Sequence, residues 1–204
     1  MKVPDSNSLP VVETFYTIQG EGCNTGKAAF FIRLGGCDVR CPWCDSKNTW
    51  DFSGHPALSV DSIIASIKKT PAENVVITGG EPLMHNLDGL CSALRKERFN
   101  IFLETSGTHP LSGDFDWICL SPKKHCPPLD EVLKKASEIK IIITDEKDFE
   151  WAEENRSKTS PSCIPLLQPN WDNRTVSTPL IIDYIKNNPL WRLSLQTHKF
   201  INIP

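Results

Sequence analysis

Apolar positions along the chain follow two periods that take turns. Val60, Ile63, Ile64 and Ile67 fall at i, i+3, i+4 and i+7 behind Ser59, whose hydroxyl suits an N-cap, and Leu87, Leu90, Cys91 and Leu94 repeat the spacing. Leu129, Val132, Leu133 and Ala136 make a third stripe. A fourth helix is predicted with Thr178 as cap and Pro179 at its first position, running through Ile181, Tyr184 and Ile185. Short runs rich in branched and aromatic side chains predict strands over residues 29–34, 74–78, 100–104, 117–120, 139–144, 164–167 and 191–195.

Strand and helix in alternation imply a mainly parallel sheet with right-handed crossovers. At 204 residues the chain is short for eight complete strand-helix units. The predicted fold is therefore α/β, a single domain over residues 1–204 built as a partial, TIM-like barrel. Turn chemistry at residues 111–114 and at Pro127-Pro128 punctuates the chain without dividing it, and no tandem repeat or linker is present.

Charge narrows the partners. With 22 Lys+Arg against 25 Asp+Glu there is no net basic field to hold a polyanion, so nucleic acid is disfavoured as a direct ligand. Apolar runs such as residues 141–143 are too short to span a bilayer, which argues against a membrane role. Residues 1–10 carry two prolines and a polar stretch where a secretion signal needs an apolar core, so the chain is expected in the cytoplasm. In a reducing compartment clustered thiols are metal ligands or reactive groups more often than disulfides. Of eight cysteines, Cys37, Cys41 and Cys44 crowd into one segment.

The unusual residues gather where strands end: residues 35–37 (GGC), 79–82 (GGEP), 105–107 (TSG), 121–123 (SPK), 168–170 (QPN) and 196–199 (QTHK). In a parallel α/β fold those carboxyl ends share one face, so the loops converge on a single site. Each loop alone reads equally as a turn. The cysteines among them set the group apart. Their C-x3-C-x2-C spacing lets three thiolates hold three irons of a cubane cluster, where ferredoxin-type clusters need four cysteines, and one iron is left open to an amino and a carboxylate group. Structural zinc with Cys23 or a histidine as fourth ligand is the alternative, although such sites usually show two separated ligand pairs. A disulfide would strand an odd thiol.

This spacing resembles the hallmark of the radical S-adenosylmethionine superfamily, and residues 79–82 resemble its glycine-rich element, which contacts the amino group of the bound methionine moiety. A glycine pair lets backbone approach a ligand with no Cβ in the way. Residues 16–22 (YTIQGEG), 31–33 (FIR), 104–107 (ETSG), 121–123 and 196–204 narrow the resemblance to the 7-carboxy-7-deazaguanine synthase family, over nearly the whole chain. Some members carry a longer insertion between the first two cluster cysteines; this chain keeps the short spacing.

The resemblance implies a lyase that contracts 6-carboxy-5,6,7,8-tetrahydropterin to 7-carboxy-7-deazaguanine with loss of ammonia, on the route to queuosine and other 7-deazapurines. It implies a [4Fe-4S] cluster on Cys37, Cys41 and Cys44, S-adenosylmethionine as a regenerated cofactor, and Mg²⁺ at Ser46, where many members are expected to have Thr. Adenosylmethionine would be held by Gly80, Thr105, Ser106, Ser121, Pro122, Lys123, Gln168, Pro169, Asn170 and Trp171. Substrate would meet Ile18, Gln19, Gly20, Arg33, Thr78 and the terminal carboxylate at Pro204. Arg33 suits a forked pair with the substrate carboxylate, while Gln19 and Glu21 offer acceptors to the N–H-rich ring edge.

By residue type alone, Arg33 is a structural ion-pair partner, and Ser121 and Gln168 are equally loop caps. His198 and Lys199 read as solvated tail cations, Trp43 as a cluster shield or a packing residue, and Cys91 and Cys119 as small core hydrophobes. No general acid or base stands out. A flavodoxin-type reductase as electron donor and a homodimer complete the expectation. The competing readings are an activase that acts on another protein and a non-catalytic zinc-binding module.

Overall fold

The computed structural model describes residues 8–204, so most of the polar stretch over residues 1–10 lies outside the described residues. Strands β1 (Ser8–Ile18), β2 (Ala28–Leu34), β3 (Ala57–Ser59), β4 (Asn74–Gly79), β5 (Asn100–Thr105), β6 (Trp117–Leu120), β7 (Glu138–Ile143), β8 (Ile164–Pro169) and β9 (Arg192–Leu193) form one sheet in the order β3-β1-β2-β4-β5-β6-β7-β8-β9. From β2 onward each neighbouring pair is parallel, while β1 runs antiparallel to both β2 and β3. The α/β class and the mainly parallel sheet are as expected, and the open order with β3 and β9 at its ends is that of a partial barrel.

Period-2 alternation decides what each strand shows to which side. On β2, Phe30, Ile32 and Leu34 join the core beneath helices α1 (Val60–Ile67) and α2 (Asp88–Lys96), whereas Phe31 and Arg33 face the barrel interior. On β7, Ile139, Ile141 and Ile143 enter a second core packed by α3 (Asp130–Lys135), α4 (Asp148–Ser157) and α5 (Arg174–Asn187), whereas Lys140 and Ile142 point inward. Thr78 of β4, Glu104 of β5 and Gln168 of β8 share that inner face. A small apolar plug of Ala29, Phe31, Val76 and Phe102, with Phe15 stacked on Phe31 at 5.1 Å between centroids, fills part of the interior.

Helix α1 begins as predicted: the Ser62 N–H donates to Ser59 Oγ at 3.2 Å, and Asp61 in the first turn complements the dipole. The expected start of α5 at Thr178 is corrected to Arg174. The chain enters that helix through a 3-10 turn at Trp171–Asn173, capped by the Asp172 N–H donating to Asn170 Oδ1 at 3.0 Å. Pro179 thus lies inside the helix, where its missing N–H removes one bond rather than marking the first position. Strands β1 and β3, helix α4 and helix α6 (Thr197–Ile201) add to the predicted elements, and β9 is shorter than residues 191–195. Cys91 is core, as expected; Cys119 is buried on β6.

Candidate active site

The cluster segment leaves β2 through Gly36, whose φ of +99° is a conformation that glycine adopts without strain. Its start is tied down by Gly36 N–H to Thr49 O at 2.7 Å and Cys37 N–H to Trp50 O at 3.2 Å. Histidines from three later loops hold it from outside: His85 Nε2 meets Gly35 O at 2.8 Å, His125 Nε2 meets Val39 O at 2.8 Å, and His109 Nε2 meets Asp38 Oδ2 at 3.0 Å. Cys37, Cys41 and Cys44 are all free thiols on the wall of one cavity of about 550 Å³, a size suited to small ligands. Burial pushes the Cys37 and Cys41 thiols up, and the Lys123 ammonium partly opposes this at Cys41.

Three unpaired thiols from one loop, facing a cavity rather than each other's disulfide, fit a cluster carried by three protein ligands. Among the described residues no three His, Cys, Asp or Glu side chains gather round a point that would hold a single ion. A cubane instead needs each thiolate on its own iron.

The loop after β4 lies directly against this segment. Gly80 N–H donates to Leu34 O at 3.0 Å and Glu81 N–H to Gly36 O at 2.9 Å. A Cβ on Gly80 would collide with the Gly36 carbonyl oxygen and come within 2.7 Å of Cys37 Cβ. Gly80→Ala is therefore expected to cost about 1–3 kcal/mol of stability and to lower iron retention on reconstitution. Urea midpoints and iron content measure both, and parental values for the two would show that the loops are not in register.

Polar groups from separate strands meet deeper in the cavity. Lys140 Nζ, 4% exposed as a residue, lies 2.6 Å from Glu21 Oε2 and 3.1 Å from Glu104 Oε2. Glu21 also accepts from Gln168 Nε2 at 3.1 Å and Gln196 Nε2 at 2.8 Å, and Glu104 accepts from Gln19 Nε2 at 3.0 Å. Burial alone would raise Glu21, but Lys140 and the amide donors outweigh it and bring its carboxyl down to about 2. Burial prevails at Glu104, whose carboxyl is raised, with Glu21 and Glu138 adding to the effect against Lys140. Burial works against the charge of Lys140, yet its acidic neighbours hold it well above the usual lysine value. Two carboxylates facing one ammonium leave an acceptor-rich surface, suited to a ligand edge made of N–H donors.

Helix α6 closes the far wall. Thr197 donates its N–H and hydroxyl to Gly20 O at 2.8 and 2.9 Å, and Lys199 Nζ reaches Asp45 Oδ2 at 2.8 Å while standing 5.0 Å over the Trp171 ring. Arg174 covers the same ring at 4.2 Å, and Phe200 meets it edge-on.

Of the residues expected from sequence, Ile18, Gln19, Gly20, Arg33, Thr78 and Pro204 line this cavity together with Ser46 and the three thiols. So do Gly80, Thr105, Ser106, Ser121, Lys123, Gln168, Pro169, Asn170 and Trp171. Pro122 does not; it is buried between Ser121 and Lys123, which do. Arg33 faces the cavity and is also an ion-pair partner, its Nε 2.7 Å from Glu13 Oε1 and its Nη1 3.4 Å from Ser46 Oγ. Sequence reading missed Lys140, gave Glu104 no role beyond its place in the 104–107 motif, and left His198 and Lys199 outside the site although both line the cavity. The signal for Lys140 was present: one cation in an isoleucine run, on the parity opposite to the buried isoleucines.

Comparison with known proteins agrees with this geometry. The radical SAM superfamily profile matches residues 31–141. A 7-carboxy-7-deazaguanine synthase of Flavobacterium psychrophilum is 48% identical over 202 residues, 99% of this chain and 96% of that protein. One from a Synechocystis strain is 47% identical, over 96% of this chain and 94% of its own. The crystal structure of QueE from Escherichia coli superposes with a TM-score of 0.84 at 35% identity, covering 94% of this chain and 95% of that one. The chain belongs to the 7-carboxy-7-deazaguanine synthase family of the radical SAM superfamily.

Proposed function

We propose that this chain contracts the ring of 6-carboxy-5,6,7,8-tetrahydropterin to give 7-carboxy-7-deazaguanine and ammonia, a lyase step toward queuosine. One observation carries the reading: the thiols of Cys37, Cys41 and Cys44 open into the same cavity as Arg33 and the Glu21–Lys140–Glu104 group. A redox centre and complementary partners for both ends of a carboxylated pterin thus share one space.

A reduced cluster held by Cys37, Cys41 and Cys44 would supply one electron to the sulfonium of adenosylmethionine, giving a 5′-deoxyadenosyl radical and methionine. The protein's own part is placement. Arg33 has guanidinium N–H groups beyond the one that Glu13 holds, and these suit the substrate carboxylate. Glu21 and Glu104 accept from the aminopyrimidinone edge, with Lys140 keeping their charge compensated between turnovers. Phe15, Phe31 and Trp171 supply apolar wall, which limits water near a reactive carbon.

Ser46, whose hydroxyl faces the cavity beside Asp45, is the oxygen donor for Mg²⁺ in this reading. Trp43, 40% exposed between two cluster cysteines, marks the side from which a flavodoxin-type donor would deliver its electron. A homodimer belongs to the same proposal. No helix among the described residues is long and apolar enough to cross a membrane.

The test is anaerobic turnover with reductant, adenosylmethionine and Mg²⁺, following the deazapurine by mass and ammonia by a coupled assay. Product from the carboxylated tetrahydropterin is expected. Cofactor cleavage without deazapurine would overturn the substrate and leave the superfamily chemistry.

A further inference from the structure

Glu81 belongs to the glycine-rich element, yet its side chain is 1% exposed and turned inward. Its carboxylate accepts four hydrogen bonds. The Leu83 N–H (3.0 Å) and Thr105 hydroxyl (2.5 Å) reach Oε1; the Ser106 N–H (2.8 Å) and Ser106 hydroxyl (2.5 Å) reach Oε2. With Glu81 N–H on Gly36 O, this one residue joins the loops that follow β2, β4 and β5.

The bonding has a consequence for what the β5 loop can offer a ligand. A hydroxyl has one proton, and Thr105 and Ser106 both donate theirs to Glu81. Thr105 Oγ1 accepts the Gly107 N–H as well, at 2.9 Å. Ser106 Oγ also meets Thr108 Oγ1 at 3.1 Å, where, with its own proton on Glu81, it accepts. Thr105 and Ser106 both line the cavity, and each hydroxyl oxygen keeps only acceptor capacity beyond these bonds, which matches an ammonium and repels a carboxylate. We propose that Glu81 is a positioning residue for the amino-acid end of adenosylmethionine: it fixes Ser106 and Thr105 as acceptors toward the ligand ammonium and locks their loop against the glycine pair. The inference rests on the proposed function for the identity of that ligand.

Glu81→Gln gives the sharpest test. An amide presents one oxygen and one NH₂, so in either orientation the NH₂ faces a backbone N–H, of Leu83 or of Ser106, which cannot reverse its polarity. The reconstituted variant is expected to keep its iron content while its Kd for adenosylmethionine, by equilibrium dialysis, rises roughly tenfold or more. Its KM for the pterin should change less than about threefold, because the substrate-facing groups are untouched.

In a cycle with Ser106→Ala, the second substitution should add little in the Glu81→Gln background, since Glu81 acts through Ser106. Should Glu81→Gln fail to fold, Ser106→Ala leaves the carboxylate three of its four donors and is still expected to weaken adenosylmethionine about three- to tenfold. Parental affinity in either variant, or fully additive losses, overturns the inference alone. A parent protein that binds no adenosylmethionine removes it together with the reading beneath it.

Discussion

Replacing Cys37, Cys41 or Cys44 singly with alanine is expected to abolish turnover and bleach the cluster while leaving the polypeptide folded. Loss of groups that merely orient a metal ligand already costs 10- to 100-fold, so loss of a ligand itself should exceed about 100-fold in activity. The fold should survive because its two main cores lie on the helix side of the sheet, away from the cluster segment. Cys91→Ala is the matched control: a buried core thiol far from this chemistry, whose loss should weaken stability modestly and leave iron content unchanged. Iron and sulfide analysis with far-ultraviolet circular dichroism checks both. Full cluster content in all three site variants would contradict the assignment.

Lys140→Met is expected to produce the largest loss of stability of any single surface-neutral substitution in the cavity. It leaves the largely enclosed carboxylates of Glu21 and Glu104, each slightly under a fifth exposed, facing each other without their cation, at a cost of about 3 kcal/mol, toward the lower end for a broken buried pair. The pH dependence has a definite sign. Glu21 titrates near 2 in the folded parent against an ordinary 4.5, so its stabilising share is complete above about pH 4.5 and fades as pH falls toward 2. The raised value of Lys140 adds stability that is present below its ordinary value of 10.5 and is lost as pH climbs through its folded one. Without Lys140, burial drives Glu21 upward instead. The gap between parent and variant should be widest near neutrality and should narrow below about pH 4.5. Urea denaturation at pH 7 and pH 4 measures it. A gap that widens on acidification would contradict the ionic reading of this group.

Much of this architecture was readable from spacing because the helices that pack on the sheet are amphipathic in the ordinary way. α1 and α2 bury three or four apolar side chains at helical intervals, and Ser59 supplies the cap. Helix α4 escaped notice because it is polar almost all round: only Asp148, Ala152 and Asn155 are fully buried in it, and two of those are polar. β1 escaped because its one apolar run, Leu9 to Val12, contains a proline and a register shift and the rest of the strand is half-buried or exposed, so its partners β2 and β3 are what make it a strand.

The site divides the same way. Loop residues after each strand were legible because glycine pairs, prolines and the three clustered cysteines fall directly behind apolar strand runs, where their position marks a place. Lys140 was not, and Glu104 was legible only as part of the 104–107 motif, because a charged residue within an apolar strand gains its role only when the register shows both on the inner face, paired with each other. Thr105 and Ser106 were legible as site residues, but their commitment to Glu81 required atomic positions.

Electron paramagnetic resonance of the anaerobically reduced holoprotein, before and after adenosylmethionine, reaches the core of the account most directly. Three protein thiolates leave one iron of a cubane exchangeable, so the spectrum should shift on addition of the cofactor, and isotopic labelling of its amino nitrogen should appear as hyperfine coupling to that iron. An unshifted spectrum with no such coupling, from protein carrying a full cluster, would mean that every iron is already capped and that the cavity does not house this chemistry.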